Sequence, residues 1–203
     1  MKIKYLLLPL LLLLTVFSNA NAMEPRIQRI EPENNLVRIE GWNGKSFEFI
    51  GSGSQIKTPH KESGIITAWH VLEDEQFVRL CGYKSGQCIV KYVEDFRRYS
   101  KRDIGLILVK EELAEPLEYS KKKLAAGDKV YSAGYPLGDF IEWEGQVVTR
   151  SLLKADVLGY CAPGSSGSMI LDFKGKLTGI VVEIPVIVEY LQPQTSLCVI
   201  EVL

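Results

Sequence analysis

From residue 36 onward, apolar residues come in short runs, often alternating with polar ones, and turn residues break the runs. Leu36-Val37-Arg38-Ile39, Phe47-Glu48-Phe49-Ile50, Gly64-Ile65-Ile66-Thr67-Ala68, Phe77-Val78-Arg79-Leu80 and Ile89-Val90-Lys91-Tyr92-Val93 read as strands. Ile104 through Val109 closes this first series, and Asn43-Gly44, Gly51-Ser52-Gly53-Ser54 and Lys84-Ser85-Gly86 read as breaks between strands. Residues 111–126 differ. They carry a charge run and Pro116 and show no alternation, which reads as a connection between two halves. The pattern then resumes at 129–134, 145–152, 154–160, 169–171, 177–184 and 196–202, with turns at Tyr135-Pro136-Leu137-Gly138 and 172–176. A short helical turn is expected after Ala68, where Trp69-His70-Val71-Leu72-Glu73 leaves the strand pattern. Short β-branched segments at this spacing predict an all-β sandwich or barrel, and argue against alternating β-α units.

The front of the chain lies outside that pattern. Lys2 and Lys4 precede a leucine-dominated run from Tyr5 through Phe17, and Ala20-Asn21-Ala22 follows as a small-x-small cleavage signal. This predicts a secretory signal peptide over residues 1–22, removed to leave a chain beginning at Met23. The run is short for a membrane span, and no later run is longer, so no membrane partner is expected after cleavage. Residues 23–35 read as an N-terminal arm or a short propeptide.

Charge and cysteines narrow the classes. The segment 1–22 holds two lysines and no acids, so its removal takes the formal net charge from −1 to −3. That balance carries no nucleic-acid footprint. The cluster Arg97, Arg98, Lys101, Arg102 and the run Lys121-Lys122-Lys123 read as solvated loops. All four cysteines lie in the exported part, and an even count in an oxidising compartment suggests disulfides. Cys81 and Cys88 bracket a turn-like loop and pair locally, which leaves Cys161 with Cys198. Zinc is the rival use of these cysteines, weakened by the lack of a C-x-x-C and by only two histidines. No metal or cofactor is expected.

Candidate chemistry starts at Gly164-Ser165-Ser166-Gly167-Ser168, which feeds into Met169-Ile170-Leu171. Alone it reads most simply as a Gly/Ser turn between strands. The alternative is a serine nucleophile on a tight bend, with backbone N–H groups aimed at a developing oxyanion. That alternative needs a base and a carboxylate. His60 sits in a polar loop and reads as a surface residue, whereas His70 ends an apolar strand where the chain turns away. Asp103 opens the apolar strand Asp103-Ile104-Gly105-Leu106-Ile107-Leu108-Val109, is drawn toward the core and needs a partner there. Asp95 and Asp172 lie in polar surroundings and are poorer candidates. On its own, Asp103 could simply cap a turn.

Taken in order, these residues resemble the trypsin/chymotrypsin-like serine protease superfamily. Thr67-Ala68-Trp69-His70-Val71 is similar to its T-A-x-H motif, Asp103-Ile104-Gly105-Leu106 to its D-[apolar]-[A/G]-L motif, and Gly164 to Ser168 to its G-x-S-G-[G/S] motif. The style resembles secreted bacterial HtrA/Deg-like and glutamyl-endopeptidase-like members, without a PDZ domain. The resemblance implies a chymotrypsin-like pair of six-stranded antiparallel β-barrels, residues 36–110 and 127–203, joined by 111–126, with the active site in the cleft. It implies His70 as general base, Asp103 as its orienting carboxylate and Ser166 as nucleophile, with Gly164 and Ser166 N–H groups as oxyanion hole. It implies that Val182, Glu183 and Ile184 pair with substrate backbone, and that Cys161 and Cys198 match a disulfide bracing the specificity pocket. Tyr160 stands where trypsin carries an acid, which argues against trypsin-like specificity and partly fills the pocket. Val181 stands where glutamate-specific members have histidine. The expected function is a secreted or periplasmic serine endopeptidase acting on polypeptides. A protease-fold binding or scaffold protein, its pocket blocked near Tyr160, is the alternative.

Overall fold

The computed structural model describes residues 30–58, 62–183 and 196–203. The expected signal peptide, residues 23–29 of the arm, His60 and Ile184 lie outside the described residues. Thirteen strands account for nearly all the regular structure: β1 (Leu36–Trp42), β2 (Phe47–Lys57), β3 (Ser63–Thr67), β4 (Phe77–Gly82), β5 (Cys88–Tyr92), β6 (Phe96–Arg98), β7 (Gly105–Val109), β8 (Lys129–Gly134), β9 (Ile141–Arg150), β10 (Lys154–Gly159), β11 (Met169–Leu171), β12 (Leu177–Glu183) and β13 (Ser196–Val202). Only short 3-10 turns interrupt them among the described residues.

The strands form two antiparallel, barrel-like sheets, the chymotrypsin-like plan. The second is a closed six-stranded barrel in the order β10-β13-β12-β11-β8-β9. The first is a seven-stranded half-barrel, β5-β4-β1-β2-β3-β7-β6. Its seventh strand is β6, in a stretch where Arg97 and Arg98 were expected in a solvated loop. A 3-10 turn at Val93–Asp95 separates β5 from β6, so that β5 pairs with β4 and β6 with β7, at opposite ends of the sheet. The chain itself therefore spans the gap between the two edges.

One stretch expected as a break is strand instead. Gly51-Ser52-Gly53-Ser54 lies inside the eleven-residue β2 and is wholly buried. The glycines are there for space rather than for a turn. A Cβ on Gly51 would run into Val71, and one on Gly53 into Ile65. The 3-10 turn expected after Ala68 is present at Trp69–Val71.

Strand alternation sorts the core. Val130, Val147, Val157, Ile170, Val181, Cys198 and Ile200 fill the closed barrel. The intervening residues Ile180, Val182 and Val199 join the larger cluster built around Ile39, Ile65, Leu80 and Ile107 of the half-barrel. Both faces of β12 are thus buried, which is why its sequence is a continuous apolar run rather than an alternating one. The connection 111–126 is more than a solvated charge run. Leu113, Leu117 and Leu124 are buried, and Gln55 holds it by accepting the Ala114 N–H at 2.7 Å. Two disulfides complete the frame, Cys81–Cys88 between β4 and β5, and Cys161–Cys198 between the segment before Ser166 and β13.

Candidate active site

β3 ends at Thr67 because the chain folds into the Trp69–Val71 turn, whose apolar residues Val71 and Leu72 are buried beneath it. That burial leaves His70 on the open side, with its side chain 42% exposed. Asp103 stands between β6 and β7, next to the buried Ile104. Its Oδ2 lies 2.7 Å from His70 Nδ1, and its Oδ1 accepts the His70 backbone N–H at 2.9 Å. Ser166 Oγ lies 2.8 Å from His70 Nε2. An ionised Asp103 requires the proton on Nδ1, so Ser166 Oγ–H donates to Nε2.

The charges support each other. The hydrogen bond from Asp103 outweighs partial burial and, with the charges of Asp103 and Glu73, lifts His70 above its ordinary 6.5. Burial alone would raise the Asp103 carboxyl; the bonds from the His70 ring and backbone outweigh it and hold Asp103 below its ordinary 3.8. Asp172, one of the two other acids considered, is buried but spent on a turn. It accepts from Ser120 Oγ at 2.6 Å and from the Lys174 and Lys176 N–H groups at 2.8 and 3.0 Å.

Ser166 sits on a bend that two left-handed glycines make possible, Gly164 at φ +91° and Gly167 at φ +82°. Ser165 braces the bend from within, its Oγ accepting the Ala162 N–H at 3.0 Å. Ser168 is buried, with its Oγ against Gly134. Among the described residues, the N–H groups of Gly164 and Ser166 have no hydrogen-bond partner. Two free donors beside a serine hydroxyl can receive an anionic oxygen, and a carboxylate–imidazole–hydroxyl series can raise that hydroxyl's nucleophilicity.

Residues 51–180 match the family model of the trypsin-like peptidase domain. The chain belongs to this family. Solved structures agree on the fold of this trypsin-like peptidase domain. The Rv3671c protease of M. tuberculosis superposes with a TM-score of 0.61 at 16% identity, covering 83% of this chain and 84% of that one. The serine endoprotease from Yersinia pestis gives 0.62 at 16%, covering 82% and 58%, and the HtrA-type protease AlgW with tripeptide 0.64 at 15%, covering 84% and 56%. No curated protein sequence matches the chain.

The remaining expected residues fall as follows. Tyr160 is half-buried immediately before Cys161; Val182 is buried on the face of β12 toward the half-barrel, and Glu183 ends that strand exposed. Among the described residues no group of three His, Cys, Asp or Glu side chains could hold a metal ion. Two features of the trypsin-like site escaped the sequence reading. The first is Ser52, fully buried in β2. Its N–H donates to Ser166 O at 2.8 Å, and its Oγ accepts the Tyr135 N–H at 2.9 Å and donates to Gly164 O at 3.3 Å. It thereby ties the serine bend to the half-barrel. The alternating glycines Gly51 and Gly53 were the available signal, since glycines inside a strand mark a close backbone approach. The second is Arg102. Expected in a solvated loop, it pairs instead with the buried Glu201 of β13.

Proposed function

We propose that the chain is a serine endopeptidase that hydrolyses peptide bonds through Ser166, His70 and Asp103. The observation that carries this reading is the series of two hydrogen bonds, 2.7 and 2.8 Å, that joins three side chains from two separate sheets. Ser166 Oγ attacks the scissile carbonyl carbon while its proton passes to His70 Nε2. The N–H groups of Gly164 and Ser166 hold the resulting oxyanion, each donor being worth about 3–4 kcal/mol in such sites. Collapse breaks the C–N bond as imidazolium gives its proton to the leaving amine. Water, deprotonated by His70, then releases the acyl group and restores Ser166. Asp103 keeps the imidazole in the required tautomer and stabilises its charged form. The end of β12, at Val182 and Glu183, offers an extended backbone for the substrate to pair with.

The reading extends to location and organisation. Two disulfides fit an oxidising compartment, and the basic–apolar–small order of residues 1–22 fits export, so the enzyme works secreted or in the periplasm. Residues 36–110 and 127–203 form the two halves of the catalytic unit, with 111–126 as the connection. The test is turnover of a quenched peptide library and of unfolded casein by the folded, oxidised protein. Cleavage that vanishes in Ser166→Ala supports the proposal. A folded wild-type protein that cleaves nothing in either set favours a binding or scaffold role.

A further inference from the structure

His70 and Asp103 belong to the half-barrel and Ser166 to the closed barrel, so the site depends on how the Asp103 loop is held against β13. Strand alternation turns Cys198, Ile200 and Val202 into the closed barrel, and turns Val199 and Glu201 the other way, toward the half-barrel. Glu201 is only 3% exposed. Arg102 Nε donates to its Oε2 at 2.9 Å, and Arg102 Nη2 lies 2.7 Å from the same oxygen. The other oxygen, Oε1, faces the Asp103 backbone N–H at 3.4 Å. Arg102 Nη2 also donates to the carbonyl of Val202 and, at 3.4 Å, to that of Leu153. The side chain before Asp103 and the backbone of Asp103 itself thus converge on one buried carboxylate of the opposite barrel.

A buried ion pair of this kind is weak evidence for stability, but a forked guanidinium fixes orientation, and removing one partner strands the other charge. Catalytic geometry tolerates displacements of only about 0.5 Å. We infer that Glu201 is a positioning residue: through Arg102 and the Asp103 N–H it fixes the Asp103 loop on the closed barrel, and so sets the alignment of His70 with Ser166. This rests on the triad reading above.

Glu201→Gln keeps the side-chain volume and an acceptor for the Asp103 N–H, but leaves the guanidinium without its counter-charge. Two readouts separate positioning from plain stability. The deshielded Nδ1 proton of His70 in the proton NMR spectrum reports the His70–Asp103 bond whether or not Ser166 reacts. Covalent labelling by a fluorophosphonate, resolved into maximal rate and half-saturating concentration, reports the reacting geometry. Glu201→Gln is expected to broaden or abolish the Nδ1 signal and to lower the maximal rate at least tenfold, with the half-saturating concentration within twofold. Ile200→Val trims the neighbouring barrel-facing side chain; it lowers the melting temperature and leaves both readouts unchanged. Should Glu201→Gln not fold, Arg102→Lys keeps the charge, loses the fork and is read the same way. A folded variant with the wild-type signal and labelling rate overturns the proposal. A wild-type protein that has the Nδ1 signal yet never labels overturns the peptidase reading instead, and the Nδ1 comparison then decides this one.

Discussion

Gly167→Ala tests the docking of the serine bend on the half-barrel. At φ +82° an alanine carries the left-handed cost of about 1–2 kcal/mol. In addition, its Cβ would lie closer than 3.0 Å to the Ser52 carbonyl oxygen and to Thr67 Oγ1, which are themselves bonded at 2.7 Å. Backbone cannot swing aside as a flexible side chain can, so β2 and the bend must part. The bonds at risk are Thr67 Oγ to Ser52 O and Ser52 N to Ser166 O, at about 1 kcal/mol each. The total is about 3–4 kcal/mol. Gly127→Ala isolates the backbone term, since Gly127 has φ +89° and nothing within 4 Å of its added Cβ. Both substitutions restrict the unfolded chain equally, so that contribution cancels in the comparison. At roughly 2–4 °C per kcal/mol for a chain of this size, Gly127→Ala should lower the melting temperature by about 2–8 °C and Gly167→Ala by about 6–16 °C. Circular dichroism melts under non-reducing conditions measure this. Equal shifts for the two variants would refute the close approach.

Further expectations follow from the same geometry. Fluorophosphonate labelling should rise with pH through a midpoint above 6.5, because Asp103 raises the His70 pKa, and Asp103→Asn should lower both rate and midpoint. The pair's contribution to stability has the opposite trend at high pH. It is fully present between about pH 4 and 6.5. It fades as pH rises through the raised His70 value, and as pH falls through the lowered Asp103 value; pH-dependent melts of wild type against His70→Ala check this. Losing Cys161–Cys198 by double alanine substitution should cost about 4 kcal/mol and losing Cys81–Cys88 about 2 kcal/mol in the loop-entropy model, since their separations are 37 and 7 residues; urea titrations rank them. Ser165→Ala should cost about 1 kcal/mol by freeing the Ala162 N–H while leaving a protein that still labels.

How much of this was legible in the sequence depends on range. The local signals were direct: a strand ending in a turn at His70, an acid opening an apolar strand at Asp103, and glycines flanking Ser166. Each is set by neighbours within a few residues. The strand pattern carried the fold class for the same reason, and β6 was missed because two of its three residues, Arg97 and Arg98, read as part of a solvated basic loop. Ser52 was misread as part of a break, since glycines that make room look like glycines that make turns. Only the opposing Thr67, Tyr135 and Gly167 reveal the difference. Arg102 looked solvated because its partner lies 99 residues away, on a strand face that pairs with it only once the two sheets have docked.

The most direct measurement is peptide mapping of the protein after fluorophosphonate treatment. The His70–Ser166 bond predicts one phosphonyl adduct, on Ser166, absent in Ser166→Ala and strongly slowed in His70→Ala. Folded protein without an adduct, or with the adduct on Ser165 or Ser168, would contradict it.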